Sequence, residues 1–301
     1  MIRHYILTRF NIRLWRADKH LQPTLDEEWL ASRFELFEKY CLPSVAAQTE
    51  KNFTWIVLFD RQTPQRFRDR LNSCREQCPQ LLPIFVRSDG GRLFRKVFRE
   101  VIAQDLDEKN GKNAQSDSNP QHPTSNTQHL KVITSYLDND DAISTDYVER
   151  VQQAAQSLGD RTYITFFYGL QYFTDLNIAT RVRYKENHFN SFVEVPGPNN
   201  EVLTTYCCSH ALILKQKQFA VHCIKTSDAP AWIEVVHPRN AMNDILLRRA
   251  TVLVTDRNLL RQRFNVDIVL RKNAWKTFTT TFLWRMLKAY VHYAVKKWRG
   301  Y

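Results

Sequence analysis

The segment Phe53-Thr54-Trp55-Ile56-Val57-Leu58-Phe59-Asp60 limits what this chain can fold into more than any other. It offers no face that could be left in water, so a strand made from it must be covered on both sides, as in a parallel sheet between helices. The surrounding sequence agrees. Tyr5 to Phe10 reads as an earlier strand, and residues 25–40 place apolar side chains at helical spacing before Pro43. Pro64 opens a helix to about Cys78, Leu82 to Val86 is a short strand, and Leu93 to Leu106 is helical again. With a further strand at Leu130 to Leu137, the alternation predicts an α/β fold with a mainly parallel, Rossmann-like sheet flanked by helices.

Beyond a helix at Thr145 to Leu158 the pattern changes. Tyr163 to Tyr168, Gln171 to Phe173, Ser191 to Val195 and Ala211 to Leu214 predict a more antiparallel half. Residues 1–267 therefore read as one catalytic domain, with halves near 1–160 and 161–267. Residues 107–128 are polar and turn-rich, and read as a mobile surface insertion. Residues 268–301 read as a basic amphipathic helix.

Composition narrows the function classes. Hydrophobic residues make up 43% of the chain and charged ones 25%, so there is ample material for a core. Glycine occurs only seven times, and neither G-x-G-x-x-G nor the P-loop pattern is present. A diphosphate would then have to be held by a metal ion and by Arg or Lys side chains. Cys74 and Cys78 have helical spacing without zinc-site companions, so reduced thiols are expected. The sequence shows no signal-peptide pattern and no membrane span, and the expected location is cytoplasmic, peripheral on the cytoplasmic face of the inner membrane.

The strand at Leu130 to Leu137 runs into Asp138-Asn139-Asp140-Asp141. Carboxylates at the carboxyl end of a sheet strand suit a Mn²⁺ or Mg²⁺ ion with positions open for phosphates. A helix-cap turn would use the same residues. A calcium loop would need Gly where Ile143 stands. Arg9 and Asp60 close the first two strands, where a nucleotide would lie. Arg92 and Arg95 are one helical turn apart.

In the tail, Trp275, Phe278, Phe282, Met286, Tyr290 and Tyr293 share one helical face. Arg285, Lys288, His292 and Arg299 form a basic stripe, and Trp284, Val291, Val295 and Trp298 a second apolar strip. Such a helix can pack on the domain with a solvated basic edge, or it can also meet an anionic membrane surface.

The chain resembles the bacterial putative rhamnosyltransferase family, glycosyltransferases of the GT-A type. The resemblance rests on Leu7-Thr8-Arg9-Phe10-Asn11, Trp29 to Phe37, Leu42-Pro43-Ser44-Val45, Phe53 to Asp60 and Leu137 to Ala142. It continues through Asn190 to Glu194 and Trp232-Ile233-Glu234-Val235-Val236-His237 with Asn240 and Asn243. The family pattern favours Arg where this chain has Tyr136. The resemblance implies a GT-A-like fold and a nucleoside-diphosphate sugar donor, contacted by Arg9, Asn11, Asp60, Asp138 and Arg95. It also implies a Mn²⁺ or Mg²⁺ ion on Asp138, Asp140 and His237, supported by Asp141, Asn240 and Asn243. The reaction would be transfer, with inversion, to a glycan or lipid-linked acceptor in surface-polysaccharide synthesis, rhamnose being the sugar of the family's label. Inversion calls for a carboxylate base; Glu194 is the first candidate, with Asp175, Glu234 and Asp244 open. A metal-dependent phosphohydrolase or nuclease would use the same acids. A nucleic-acid-binding protein ranks last, because the tail carries no recognised motif of that class.

Overall fold

A computed structural model of the protein describes residues 1–12, 26–87, 93–116, 130–238 and 252–298. Its centre is four parallel strands: β1 (Ile2–Arg9), β2 (Thr54–Asp60), β3 (Leu81–Val86) and β4 (Lys131–Tyr136). β1 lies between β4 and β2, with β3 outside β2.

The course of β2 explains its unbroken apolar sequence. Trp55, Val57 and Phe59 join one core with Phe34, Phe37, Phe67 and Leu71, under helices α1 (Glu27–Leu36), α2 (Leu42–Ala46) and α3 (Gln65–Gln77). Ile56 and Leu58 join the opposite core with Phe98, Ile102 and Leu106 of α4 (Phe94–Ser116). Each such side chain contributes about 1.5–3 kcal/mol by leaving water. α1 starts where the Asp26 carboxylate accepts from the Trp29 amide at 2.7 Å, and a π-turn at Phe37–Cys41 links it to α2.

Two sheets share the remaining strands, which are β5 (Ala142–Ile143), β6 (Thr162–Phe166), β7 (Tyr168–Phe173), β8 (Ile178–Arg183), β9 (Asn190–Glu194), β10 (Ala220–Ile224), β11 (Trp232–Val236) and β12 (Val252–Leu253). The large sheet has the order β10-β6-β9-β4-β1-β2-β3, with β9 antiparallel to both of its neighbours. The smaller sheet, β12-β8-β7-β11-β5, is antiparallel except at β7 and β11. Helix α5 (Tyr147–Ser157) lies between β5 and β6 in the chain, and α6 (Leu259–Phe264) follows β12. A tail of α7 (Ala274–Thr277) and α8 (Leu283–Trp298) is joined by a π-turn at Phe278–Phe282. The mainly parallel, helix-flanked sheet with a C-terminal helix is the fold class expected.

Three local expectations change. Residues 107–116, read as part of an insertion, continue α4, while 117–129 lie outside the described residues. The run at 163–168 is broken at Phe167 into β6 and β7. Ala211 to Leu214 belongs to a 3₁₀ helix, His210–Lys215, because Ile213 alone of the four is buried and so nothing imposes a period of two.

Candidate functional site

The carboxyl ends of β1, β2 and β4 meet at one edge of the large sheet, and the acidic segment leaves β4 there. The Asn139 amide fixes that segment by donating to the Phe10 carbonyl at 2.9 Å and the Arg9 carbonyl at 3.3 Å. β4 ends at Tyr136, and Asn139 and Asp140 form a turn, the Asp141 amide reaching back to the Asp138 carbonyl at 3.4 Å. The two-residue alternation of a strand therefore stops before the acids begin, and each carboxylate takes its own direction.

Asp138 faces the open side. The Tyr136 hydroxyl donates to it at 2.8 Å and accepts from Arg9 at 2.5 Å, with the Arg9 guanidinium 3.6 Å from the carboxylate. Phe94, Tyr136 and Tyr206 surround that guanidinium with ring centroids 5.2–5.4 Å away. Arg9 Nε is buried with no partner.

Asp140 turns inward. Arg33 donates to its Oδ2 at 2.5 Å and His237 Nε2 lies 3.0 Å from the same oxygen. Burial alone would raise this carboxyl's pKa, but Arg33 and then His237 outweigh it and hold the pKa below the usual carboxylate range.

Asp141 turns toward the smaller sheet. It accepts from the Val235 amide at 2.8 Å, and His188 Nε2 lies 2.8 Å from its other oxygen. Burial and the neighbouring carboxylates push this carboxyl up against the pull of His188. Burial works against a charge on His188, yet Asp141, Asp138 and Glu234 push its pKa up.

His188 is held by the residue after it. Phe189 stacks on Trp232 at 5.0 Å, the Trp232 indole donates to the Phe166 carbonyl at 3.0 Å, and Gly169 lies so close that a Cβ there would come within 2.1 Å of the indole. One oxygen each of Asp138 and Asp141 and one His188 nitrogen lie within 4.8 Å of one another. Two carboxylates and an imidazole, with Tyr136 and the Val235 amide fixing the carboxylates from behind, fit a Mn²⁺ or Mg²⁺ ion in their donor chemistry.

The expected metal set was Asp138, Asp140 and His237. Asp138 is in the group just described, while Asp140 and His237 pair with each other and with Arg33, because the turn sends Asp140 away from Asp138. Glu194 is not brought to this edge. β9 runs antiparallel to β4, so Glu194 lies opposite Val132 at the amino end of β4, where the Leu203 and Thr204 amides donate to it at 2.7 and 2.9 Å.

The structure brings Glu234 to the site instead. It is buried on β11, takes a 2.8 Å hydrogen bond from Gln171, and has its pKa raised by burial with His188 opposing. Asp175 pairs with Arg285 at 2.7 Å. Asn11 links the strand ends, donating to the Thr63 hydroxyl at 3.0 Å and accepting from the Asp60 amide at 2.9 Å. Asp60 accepts from the Gln62 amide at 2.7 Å. Arg95 sits in the first turn of α4, its guanidinium 5.6 Å from the Phe94 ring centre. Arg92, Asn240, Asn243 and Asp244 lie outside the described residues.

Sequence reasoning missed His188, Arg33 and Tyr206. His188 is two residues before the Asn190-Ser191-Phe192 block and Arg33 lies inside Trp29 to Phe37, so position beside or within a matched block was the available signal.

Residues 3–118 and 110–249, two overlapping segments, match the model of the family described as "Putative rhamnosyl transferase". Among solved structures the chain is similar to S. aureus TarS residues 1–349 at 12% identity, with 78% of this chain and 60% of that one covered and a TM-score of 0.40. A second TarS structure aligns at 11% identity over 79% of this chain and 37% of that one, with a TM-score of 0.35. This chain thus spans less than two thirds of either TarS chain. No curated protein matches.

Proposed function

The chain belongs to the putative rhamnosyl transferase family, and from that premise we propose that this glycosyltransferase moves a sugar, rhamnose by the family's name, from a nucleoside diphosphate to an acceptor hydroxyl. The observation that carries this reading is the Asp138, Asp141 and His188 group beside Arg9, at the carboxyl edge of a mainly parallel sheet. In it residues 1–267 are one catalytic unit and the acceptor is a glycan or a lipid-linked glycan.

Asp138, Asp141 and His188 would hold a divalent cation. That ion would supply positive charge to the departing diphosphate. Arg9, kept charged inside its aromatic enclosure, pairs with a phosphate oxygen through the guanidinium that now meets Tyr136. Asp60 and Arg95 border the space for base and ribose. Arg33 and His237 tie down Asp140 and thereby hold the acidic turn in register. Glu234 takes the acceptor's proton, since it is the buried carboxylate on the His188 side whose raised pKa suits a general base, and attack from that side inverts the sugar carbon.

Calorimetry with UDP, dTDP and GDP, with and without Mn²⁺, tests the donor half. Binding of one nucleotide, strengthened by Mn²⁺, is expected; no binding in any arm would overturn the reading. For the base, Glu234→Gln should cut transfer about 10²-fold or more while nucleotide affinity stays the same. Unchanged transfer would remove Glu234 from the mechanism.

A further inference from the structure

The tail helix has two apolar sides, and the body covers one of them. Ala274, Phe278 and Phe282 are buried against Phe173, Leu176, Ile178 and Leu253, with Met286 at the margin, and Arg285 is anchored by Asp175. Trp275 and Tyr290, expected on the docking face, are instead exposed. The π-turn at Phe278–Phe282 adds a residue to its turn and so rotates everything after it relative to a regular helix.

The other side of α8 is an arc of Leu283, Trp284, Leu287, Tyr290, Val291 and Val295. Trp284 is 56% exposed and both Leu287 and Val291 are 51% exposed. At 100° per residue these positions fall within about 140° of the helix circumference, turned away from Phe282. Lys288 borders the arc with its ammonium 5.2 Å from the centre of the Trp284 ring.

We infer that this arc is a seat for an anionic lipid bilayer, on which α8 lies flat. Charge selects the partner. Residues 268–301 hold eight Lys or Arg and no Asp or Glu, two thirds of the net charge of +12. A second copy of the same helix would bring like charges together, whereas anionic headgroups neutralise them. A nucleic acid would satisfy the charge but leave the aliphatic arc in water. Trp beside Lys on an apolar arc is the chemistry of the headgroup boundary. Lying flat is required, since no helix among the described residues is long and apolar enough to cross a membrane. Membrane seating would bring the site to a lipid-linked acceptor.

The test is co-sedimentation of the full chain with vesicles of phosphatidylcholine alone or mixed with phosphatidylglycerol. Binding to the mixed vesicles, weakened by salt, is expected, with none to the neutral ones. Leu287→Ser/Val291→Ser should lose at least tenfold with an unchanged unfolding temperature, because both side chains are already in water. Lys288→Gln should lose about fivefold. Absence of binding to anionic vesicles would overturn the inference, as would equal binding to both kinds. A concentration-dependent dimer that the double variant abolishes, or salt-dependent RNA binding in place of vesicle binding, would also overturn it. Nucleotide calorimetry on the double variant should match the parent, so loss of the seat and loss of the site read differently.

Discussion

Asp140 and Asp141 are neighbours in sequence and both are buried, yet the fold gives them opposite surroundings. Asp140 receives a guanidinium and an imidazole on one oxygen, which stabilises its charge inside the protein. Asp141 has one imidazole and one amide, and the carboxylates of Asp138 and Asp140 repel its charge. An ion pair that is already satisfied holds structure. A group of acids short of positive charge is where an added cation gains most. In an acidic motif, the neighbours of each oxygen decide its role, and spacing along the chain does not.

The largest effect should follow from removing the satisfied partner. Arg33→Met leaves Asp140 buried without its guanidinium and should cost about 3–5 kcal/mol in urea unfolding. A loss near zero would mean that Asp140 is no better neutralised than Asp141. Because the folded pKa of Asp140 is depressed, its stabilisation is present above the ordinary carboxylate pKa of about 4 and fades as pH falls through and below it.

Asp141→Asn should do the reverse. Stability should move by no more than about 1 kcal/mol, since the charge removed is a disfavoured one, while Mn²⁺-assisted nucleotide binding should fall about 10–100-fold, the range found when a metal site's support is lost. Equal losses of stability in Arg33→Met and Asp141→Asn would end the contrast.

Glu194 is a third buried carboxylate, remote from both, and sharpens the comparison at the small end. Burial pushes it up to about 7, against the Leu203 and Thr204 amides. The folded protein keeps a proton that the unfolded chain releases near its ordinary pKa of 4.5, so stability should decline as pH rises from there to about 7. Glu194→Gln should flatten that slope and leave transfer intact. A fall in transfer would restore Glu194 to the chemistry.

The parts legible in the sequence are those with local causes. β2 and β4 announce themselves because covering on both faces demands unbroken apolar runs, and Arg9 and Asp138 are strand ends that any parallel sheet brings together. Glu194 shows the limit. Periodicity identifies β9 as a strand but does not give its direction, and antiparallel pairing carries the carboxylate to the wrong edge. His188 is 47 residues from Asp141 and sits in a loop with no periodicity, so only packing of Phe189 on Trp232 puts it in place. Residue 140 was grouped with 138 by strand alternation, and that rule ends with the strand at Tyr136.

The central claim, that a divalent cation binds Asp138, Asp141 and His188 beside the donor, is tested most directly by comparing two histidines. Mn²⁺ titration in the presence of the bound nucleotide should show His188→Ala weakening the metal at least tenfold, with His237→Ala close to the parent once both are shown to be folded. The opposite result, loss with His237→Ala and none with His188→Ala, would contradict the account and return the metal to Asp140.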